Sequence, residues 1–227
     1  MTLELADRSL SRPDLAPLAG GDAVALVNCT LDEADLRDLD LTGWRFERCS
    51  LARADFSGTT LELATFTHCR GAAASFHSAH LEDARFTASD FNNAVFRGAV
   101  LISAGFEGCK LTGSDFTDAR STGTAFADTL LVAAKLAGFS FRKDRLKGVD
   151  LSSADLAKCD FRDAVFENAS LREAIIDNAR FEGADLRGAD LTGLSLLTGA
   201  GRFKGAVISA AQAEIILGAT GLKVRAR

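Results

Sequence analysis

The chain has 227 residues and a formal net charge of −5, with 47% hydrophobic and 25% charged residues. These values are ordinary for a folded globular protein. No segment approaches the roughly 18 consecutive apolar residues of a membrane span, and the first residues lack the basic and apolar regions of a signal peptide. We therefore expect a cytoplasmic protein without a membrane-spanning segment.

The amino-terminal segment contains Pro13, Pro17, Gly20 and Gly21 and does not show the five-residue repeat that dominates the rest of the chain. We predict that residues 1–23 form an amino-terminal cap, as a strap or a short helical turn. A cap is expected because the open end of a stacked β-structure exposes unpaired backbone groups.

From residue 24 to residue 198 the chain repeats with a period of five. Of the 35 positions spaced by five from Leu26 to Leu196, 18 are Leu, 14 are Phe and one is Ile, and the exceptions are Gly71 and Ser121. The residue two before each of these central positions is usually Ala, Cys, Ser or Thr. Neither the 3.6-residue period of a helix nor the strict alternation of a simple strand fits this pattern.

The two restricted positions define which side chains face inward. Side chains two apart on an extended backbone point the same way, so the central residue and the one two before it share the interior. Because successive centres are an odd number of residues apart, the chain must bend once per pentapeptide. Four bends close a coil of 20 residues, and the spacing predicts an all-β solenoid of about nine coils.

This motif resembles that of the pentapeptide-repeat family, A-(D/N)-L-x-x. Near-verbatim copies are Ala34-Asp35-Leu36, Ala54-Asp55-Phe56, Ala154-Asp155-Leu156, Ala184-Asp185-Leu186 and Ala189-Asp190-Leu191. The resemblance implies a right-handed quadrilateral β-helix over residues 24–198. When the central residues that lie 20 apart are grouped together, Phe falls above Phe in successive coils. Wall A has the centres Leu26, Phe46, Phe66, Phe86, Phe106, Phe126, Leu146, Phe166 and Leu186, and wall C includes Leu36, Phe56, Phe76, Phe96 and Phe116.

All cysteines occupy the small inward position, two residues before a centre. They are Cys29, Cys49, Cys69, Cys109 and Cys159. Cys commonly serves as a small buried filler, and the absence of CxxC spacing argues against a zinc site. Residues 29, 49 and 69 should stack in neighbouring coils, but parallel inward Cβ vectors and a reducing compartment argue against a disulfide.

Five residues depart from the pattern. Trp44, Phe139 and Asp144 are too large or too polar for the small inward position, whereas Gly71 and Ser121 should leave under-filled core positions. Phe139 and Asp144 lie close together in sequence, so we expect a locally distorted coil or a bulge between them. The departures are either tolerated irregularities or a kink that presents a surface.

The carboxy-terminal segment, residues 199–227, is predicted to form a capping helix and a tail. Ser209 followed three residues later by Gln212 is a capping box, which predicts a short helix from about Ala210 to Leu217, ended by Gly218. The segment either caps the last coil or also forms a homodimer, as the resemblance implies. The residues of this candidate cap or dimer interface are Ile208, Ile215, Ile216, Leu217 and Leu222.

Catalytic patterns are missing from the sequence. His68, His77 and His80 fall on three different walls of the predicted solenoid. There is no GxSxG, Walker A or HExxH motif, and a smooth prism lacks the deep pocket of most small-molecule enzymes. We therefore expect no enzymatic activity, no catalytic residues, no metal site and no cofactor.

The resemblance also implies a partner. The best-known family members, the Qnr group and the mycobacterial fluoroquinolone-resistance protein, bind DNA gyrase or topoisomerase IV as acidic mimics of DNA. Wall C, with seven acids and four bases, is the most acidic wall of this chain. Its candidate partner-binding acids are Asp35, Asp38, Asp55, Asp115, Asp118, Asp155 and Asp177. An alternative is that Asp before a centre only bonds the backbone amides of a turn.

Two functions follow as hypotheses. The first is a DNA-mimicking modulator of DNA gyrase or topoisomerase IV that protects from quinolones or other gyrase poisons. The second is a general protein–protein interaction scaffold with unrelated partners. Mimicry would be partial. The 26 acids and 19 bases of residues 24–198 give a net charge of −7, whereas a DNA duplex as long as the solenoid carries roughly 24 negative charges. Qnr-type projecting loops are absent, and no direct nucleic-acid binding is expected.

Overall fold

The computed structural model describes residues 3–194, residues 200–218 and residue 221. The helices are α1 (Arg12–Leu15) and α2 (Ala210–Gly218), with 3₁₀ turns at Ala16–Leu18 and Ala200–Phe203. The strands are β1 (Leu3–Ala6), β2 (Val24–Val27), β3 (Arg45–Glu47), β4 (Thr65–Thr67), β5 (Arg85–Thr87), β6 (Gly105–Glu107), β7 (Ala125–Ala127), β8 (Arg145–Lys147), β9 (Val165–Glu167), β10 (Ala169–Ser170) and β11 (Ala189–Asp190).

The chain winds into a parallel β-solenoid, as predicted. Strands β1 to β9 stack in sequence order as wall A, with Phe46 paired to Phe66 and Phe66 to Phe86. Single β-bridges with the same 20-residue spacing, such as His80 to Val100, build the other sides. We call these sides wall B (centres Leu31 to Leu191), wall C, and wall D (centres Leu41 to Phe181).

Each pentapeptide bends two residues after its centre. The backbone there takes a positive φ, for example +54° at Asn28, +59° at Leu63 and +71° at Gly43. This left-handed conformation suits Gly, Asn and Asp best, and it recurs every five residues. The required bend therefore has a fixed place in the repeat.

Stacked aromatic rings fill the interior. On wall A the rings of Phe46 and Phe66 lie 4.6 Å apart and 4° from parallel, and on wall C those of Phe56 and Phe76 lie 5.0 Å apart and 3° from parallel. Rings of the two walls meet edge to face, as Phe46 and Phe56 do at 89°. Both arrangements are favoured by the aromatic quadrupole, so the Phe columns add directional contacts to apolar burial.

The inward column at the corner from wall A to wall B has a second role besides filling space. On walls B, C and D, apart from Leu36, the centre's carbonyl accepts the amide three residues later, as Leu31 does from Ala34 (3.1 Å), but wall A lacks this bond from Leu26 to Phe166. The amide of Cys69 instead donates to Ser89 Oγ one coil later (2.9 Å). Side chains with a thiol or hydroxyl group occupy this column at Cys29, Cys49, Cys69, Ser89, Cys109 and Thr129.

The thiols in this interior are free and buried. Burial raises the pKa of Cys109 to about 11 and that of Cys159 to about 12. These thiols therefore stay protonated at neutral pH, which agrees with a structural use of Cys.

Replacing Ser89 with Ala is expected to cost about 1–3 kcal/mol of unfolding free energy, because it leaves the buried Cys69 amide without an acceptor. Ser114→Ala is the matched control: Ser114 is also buried, but its hydroxyl only donates to the Phe91 carbonyl (3.0 Å), so its loss should cost about 0.5–1.5 kcal/mol. Urea denaturation measures both. Equal losses would contradict the proposed acceptor role.

The expectation that Gly71 leaves an under-filled core position is wrong. A Cβ built on Gly71 would lie 2.1 Å from Cε1 and 2.4 Å from Cδ1 of Phe91. The ring of Phe91 thus occupies the space of the missing side chain. The side-chain volume missing at one core position is therefore supplied by a residue of the adjacent coil, which keeps the core closely packed.

The predicted distortion near Phe139 is present, as an interruption of the ladder and not as an inserted bulge. No backbone hydrogen bond joins residues 118–125 to residues 137–145, and no β-bridge pairs Arg120 with Ser140. The Phe139 ring lies 6.1 Å from Phe116 and 5.8 Å from Phe126, the centres on either side of Ser121. Phe139 therefore fills the space left by the small Ser121, and the ladder between residues 118–125 and 137–145 is lost as a result. We call this interrupted part of the ladder the open rung.

The amino-terminal segment continues the solenoid. Strand β1 pairs in parallel with β2, Leu5 opposite Leu26, and Leu10 and Leu15 are buried in the same core. Leu5, Leu10 and Leu15 have the five-residue spacing, so the prediction of an amino-terminal segment without the repeat is wrong. One extra residue between Leu15 and Leu26 shifts this five-residue spacing relative to that of the following coils. The short helical turn that was predicted is α1.

The carboxy-terminal segment resumes the ladder before its helix. Phe203 stacks on Phe181 at 5.0 Å, and Leu186 N donates to the Val207 carbonyl (2.8 Å), a spacing of about 22 residues rather than 20. Helix α2 then begins with the predicted capping box, in which Ser209 N donates to Gln212 Oε1 (2.7 Å) and Gln212 N to Ser209 Oγ (3.2 Å). Leu196 lies outside the described residues, so the solenoid's end at residue 198 stays a prediction.

Candidate binding surface

The acids predicted on wall C lie on that wall, but not as a continuous stripe. Along the axis, Asp35 is followed in successive coils by Asp55, Ser75, Val95, Asp115, Lys135, Asp155 and Ile175. Neutral and basic side chains therefore interrupt the column. Asp38 and Asp118 stand in another column four coils apart, which is about 19 Å at the usual strand spacing.

The amino-terminal part of the column is neutralised by arginines. Both oxygens of Asp35 accept from Arg37, at 2.9 and 2.8 Å, and Arg12 lies 3.4 Å away. Hydrogen bonds from the Arg37 side chain and amide hold the pKa of Asp35 well below its usual value. Arg37 also lies 3.7 Å from Asp55, so this pair of acids presents little free charge.

Asp115 is paired as well. Its Oδ2 lies 3.3 Å from Arg97 and 3.2 Å from Lys135. Burial acts to raise the pKa of Asp115, but hydrogen bonds from Thr117 and Lys135 and the charge of Lys135 outweigh it and lower the pKa to about 2. Asp115 is therefore ionised at neutral pH, with its charge compensated locally.

Four of the seven predicted acids make no ion pair within the described residues: Asp38, Asp118, Asp155 and Asp177. Asp before a centre also serves the turn. Asp55 accepts from the Ser57 amide (2.9 Å) and Asp155 from the Ala157 amide (3.0 Å). These two residues therefore make the turn bonds on which the alternative rests, and whether they also bind a partner stays a prediction.

The carboxy-terminal end carries several exposed apolar side chains. Ile215 on α2 is 63% exposed and Ile208 38% exposed, whereas Ile216 packs against the core and Leu217 is half-buried. Gln212 fixes α2 on the last coil by donating to the carbonyls of Leu186 (2.8 Å) and Ala189 (2.7 Å). The fifth residue of the predicted interface, Leu222, lies outside the described residues.

Clusters suited to catalysis or metal binding are not seen in the part of the chain that the structure describes. No three His, Cys, Asp or Glu side chains are placed to hold a metal ion there, and the three histidines lie on walls A, C and D. A cleft of about 130 Å³ lies between α2 and the last coil, lined partly by Leu191 and Ile215. Over the same residues, no helix has the length and apolarity to span a bilayer.

A basic cluster was missed by the sequence reasoning. Arg120, Arg142 and Lys143 on wall D and Arg145 and Lys147 on the adjoining wall A are all exposed, beside the open rung. The available signal was four bases within six residues, from 142 to 147. Only Arg142 and Lys143 fall within the segment for which the sequence predicts a distorted coil.

Comparison with family models identifies the repeat. A model described as a pentapeptide repeat region matches residues 39–116 and 59–136. A second, described as pentapeptide repeats (8 copies), matches residues 126–163, 145–183 and 154–193. The chain belongs to the pentapeptide-repeat family. A search of curated proteins finds no match to this pentapeptide-repeat protein.

Solved structures share its fold. Full-length QnrB1, a plasmid-mediated fluoroquinolone resistance protein, superposes with a TM-score of 0.72 at 20% identity, covering 98% of this chain and 99% of QnrB1. Two trypsin-treated variants of QnrB1 give a TM-score of 0.62 at 20% and 19% identity, each covering 99% of both chains. At this identity the likeness shows the common solenoid of these pentapeptide-repeat proteins.

Proposed function

We propose that this pentapeptide-repeat protein is a non-enzymatic, cytoplasmic binding rod that docks on a type II topoisomerase, DNA gyrase or topoisomerase IV. Docking would change the enzyme's response to quinolones or other gyrase poisons. The observation that supports this proposal is the superposition on QnrB1 over 98% of the chain. A rod of that length and cross-section would present a similar shape to a partner.

The charges determine how such docking would work. Because Asp35, Asp55 and Asp115 are ion-paired, electrostatic mimicry of DNA would depend on the unpaired acids Asp38, Asp118, Asp155 and Asp177, supplemented by shape. Electrostatic complementarity mainly sets association rate and orientation. We therefore propose that Asp118 and Asp155 steer the encounter.

We also propose that the rod is a homodimer joined at its carboxy-terminal end. Ile208 and Ile215 are exposed there beside the half-buried Leu217. Large apolar side chains grouped on a surface commonly mark a protein interface. Two rods joined end to end would double the length offered to a partner.

The test is a supercoiling and DNA-cleavage assay with purified gyrase, topoisomerase IV and ciprofloxacin. We expect the protein to bind at least one of the enzymes and to reduce drug-stabilised cleavage. Asp118→Lys with Asp155→Lys should weaken this effect. Asp128→Lys with Asp163→Lys, at exposed acids outside wall C, is the matched control and should not.

The dimer is tested alongside these assays with the Ile215→Glu variant. The mass of this variant protein in solution should fall to that of a monomer. If neither enzyme forms a complex and no protection is seen, the topoisomerase proposal is wrong. A native protein that is already monomeric would contradict the dimer alone.

The second candidate function is a general protein-interaction scaffold. The observation that favours it is the local pairing of acids with bases on wall C, which leaves no continuous negative stripe. A chain ended after Leu196 separates the two: a scaffold that binds through its walls should still capture its partner, whereas a dimeric mimic should lose both its length and its partner.

A further inference from the structure

The edge between walls D and A carries a concentration of positive charge on an otherwise acidic rod. Arg142 and Lys143 follow the centre Phe141 on wall D, and Arg145 and Lys147 flank the next centre on wall A. The outward positions of the repeat expose all four. We propose that these residues, with Arg120 one coil earlier, form a docking site for an acidic segment of a partner protein.

Most of this charge is not compensated. Arg145 pairs with Glu167 in the next coil, but the other four bases make no ion pair within the described residues. Several other bases on these two walls are paired locally, as in Arg162 with Asp160 (2.5 Å) and Arg187 with Asp185 (2.6 Å). A group of unpaired like charges makes a local positive potential that attracts and orients an anionic partner.

The acids around the cluster reduce its potential without cancelling it. Asp144 occupies the inward position and is half-buried, and its burial raises its pKa. Asp128 and Asp163 lie one coil before and after the cluster. Over the two coils that hold the cluster, Asp128 and Asp144 leave the five bases a net charge of +3, and Asp163 and Glu167 in the following coil reduce this to +1.

The open rung adds hydrogen-bond donors at the same place. The backbone amides of Ser121, Gly123, Ser140 and Arg145 donate to no backbone carbonyl there, although their counterparts in neighbouring coils do, as Ser103 N donates to the Thr122 carbonyl (3.0 Å). All four residues are exposed or half-exposed. Amides of this kind can donate to carboxylate oxygens, and charge-assisted bonds are the stronger ones.

A protein segment fits the site better than a nucleic acid. The cluster spans only two coils, about 10 Å along the axis, and the whole chain carries a charge of −5. A long polyanion would extend over the acidic neighbouring surface, whereas a few consecutive Asp or Glu side chains would contact only the basic edge. Association is expected to weaken as salt increases.

The experiment is fluorescence anisotropy with a labelled octaglutamate peptide at low ionic strength, using the full chain. The native protein should bind, and Arg142→Glu with Lys143→Glu should weaken binding by about tenfold or more. The matched control is Arg70→Glu with Lys110→Glu, at exposed bases on wall B without ion pairs. This control should bind like the native protein.

Three results would overturn the proposal: no binding by the native protein, an equal loss in the wall B control, or displacement of the peptide by a short DNA duplex or inorganic phosphate at equal charge concentration. Circular dichroism checks that the variants fold, and Arg142→Gln with Lys143→Gln provides a milder second pair. No topoisomerase is present and no residue of wall C or α2 is changed, so failure here is distinguishable from failure of the proposed function.

Discussion

Replacing Gly71 with Leu, the residue that the repeat favours at this position, is expected to destabilise the protein. The added Cβ would lie 2.1 Å from Cε1 of Phe91. That ring cannot move aside easily, because it packs against Phe86 at 5.3 Å, Phe76 at 5.7 Å and Phe66 at 5.8 Å. Overpacking of a filled core costs typically 1–3 kcal/mol, and about 3 kcal/mol is expected here. Urea denaturation followed by circular dichroism measures the loss.

A compensating change makes this prediction specific. Phe91→Leu in the Gly71→Leu background should recover part of the lost stability, because it vacates the space that the new side chain needs. The two positions should then show an interaction energy of about 1 kcal/mol or more, as contacting residues do. A Gly71→Leu protein more stable than the native one would mean that the position was under-filled after all.

Replacing Phe139 with Ala is expected to cost about 3–5 kcal/mol, the range for removing a buried aromatic ring. The loss falls at the upper end because the neighbouring centre, Ser121, has no large side chain to collapse into the cavity. The Phe139 ring also contacts Phe141, at 5.1 Å between centroids. The thermal or urea midpoint should therefore fall steeply.

Adding Ser121→Leu to Phe139→Ala should reverse most of that loss, because it restores a large centre and a small inward residue. The coils on either side should then close. Hydrogen exchange provides the second measurement: the amides of Ser140 and Arg145, which donate to no backbone carbonyl in the native protein, should exchange more slowly in the double variant. A double variant as unstable as Phe139→Ala, with both amides still fast, would contradict this account of the open rung.

The fold could be predicted because the five-residue period directly encodes which side chains face inward. Its ends were harder to predict. A single extra residue hides the register of Leu5, Leu10 and Leu15, and about two extra residues hide that of Phe203. Strict spacing detects only uninterrupted repeats, whereas parallel pairing resumes after a short insertion. Gly71 was misjudged because its volume is supplied from another coil, by Phe91.

The surface was less predictable than the core. The register placed Asp35, Asp55 and Asp115 on one wall, but it gave no information on the conformations of Arg37, Arg97 and Lys135, whose long side chains reach these acids. Pairing of exposed charges is weak and depends on rotamers, so spacing does not encode it. The basic residues from 142 to 147 were visible, yet only the ladder shows that they flank an open rung.

The open rung also affects how the rod responds to heat and force. Each coil contacts only its two neighbours, so the stability of a solenoid is coupled from coil to coil. Across the open rung the coupling depends on the wall A pair of Ala127 with Lys147, on wall B and wall C bridges such as Asp115 to Lys135, and on the packing of Phe139. We therefore expect two cooperative blocks joined at a more compliant junction. Bending or twisting would concentrate there and leave both blocks intact.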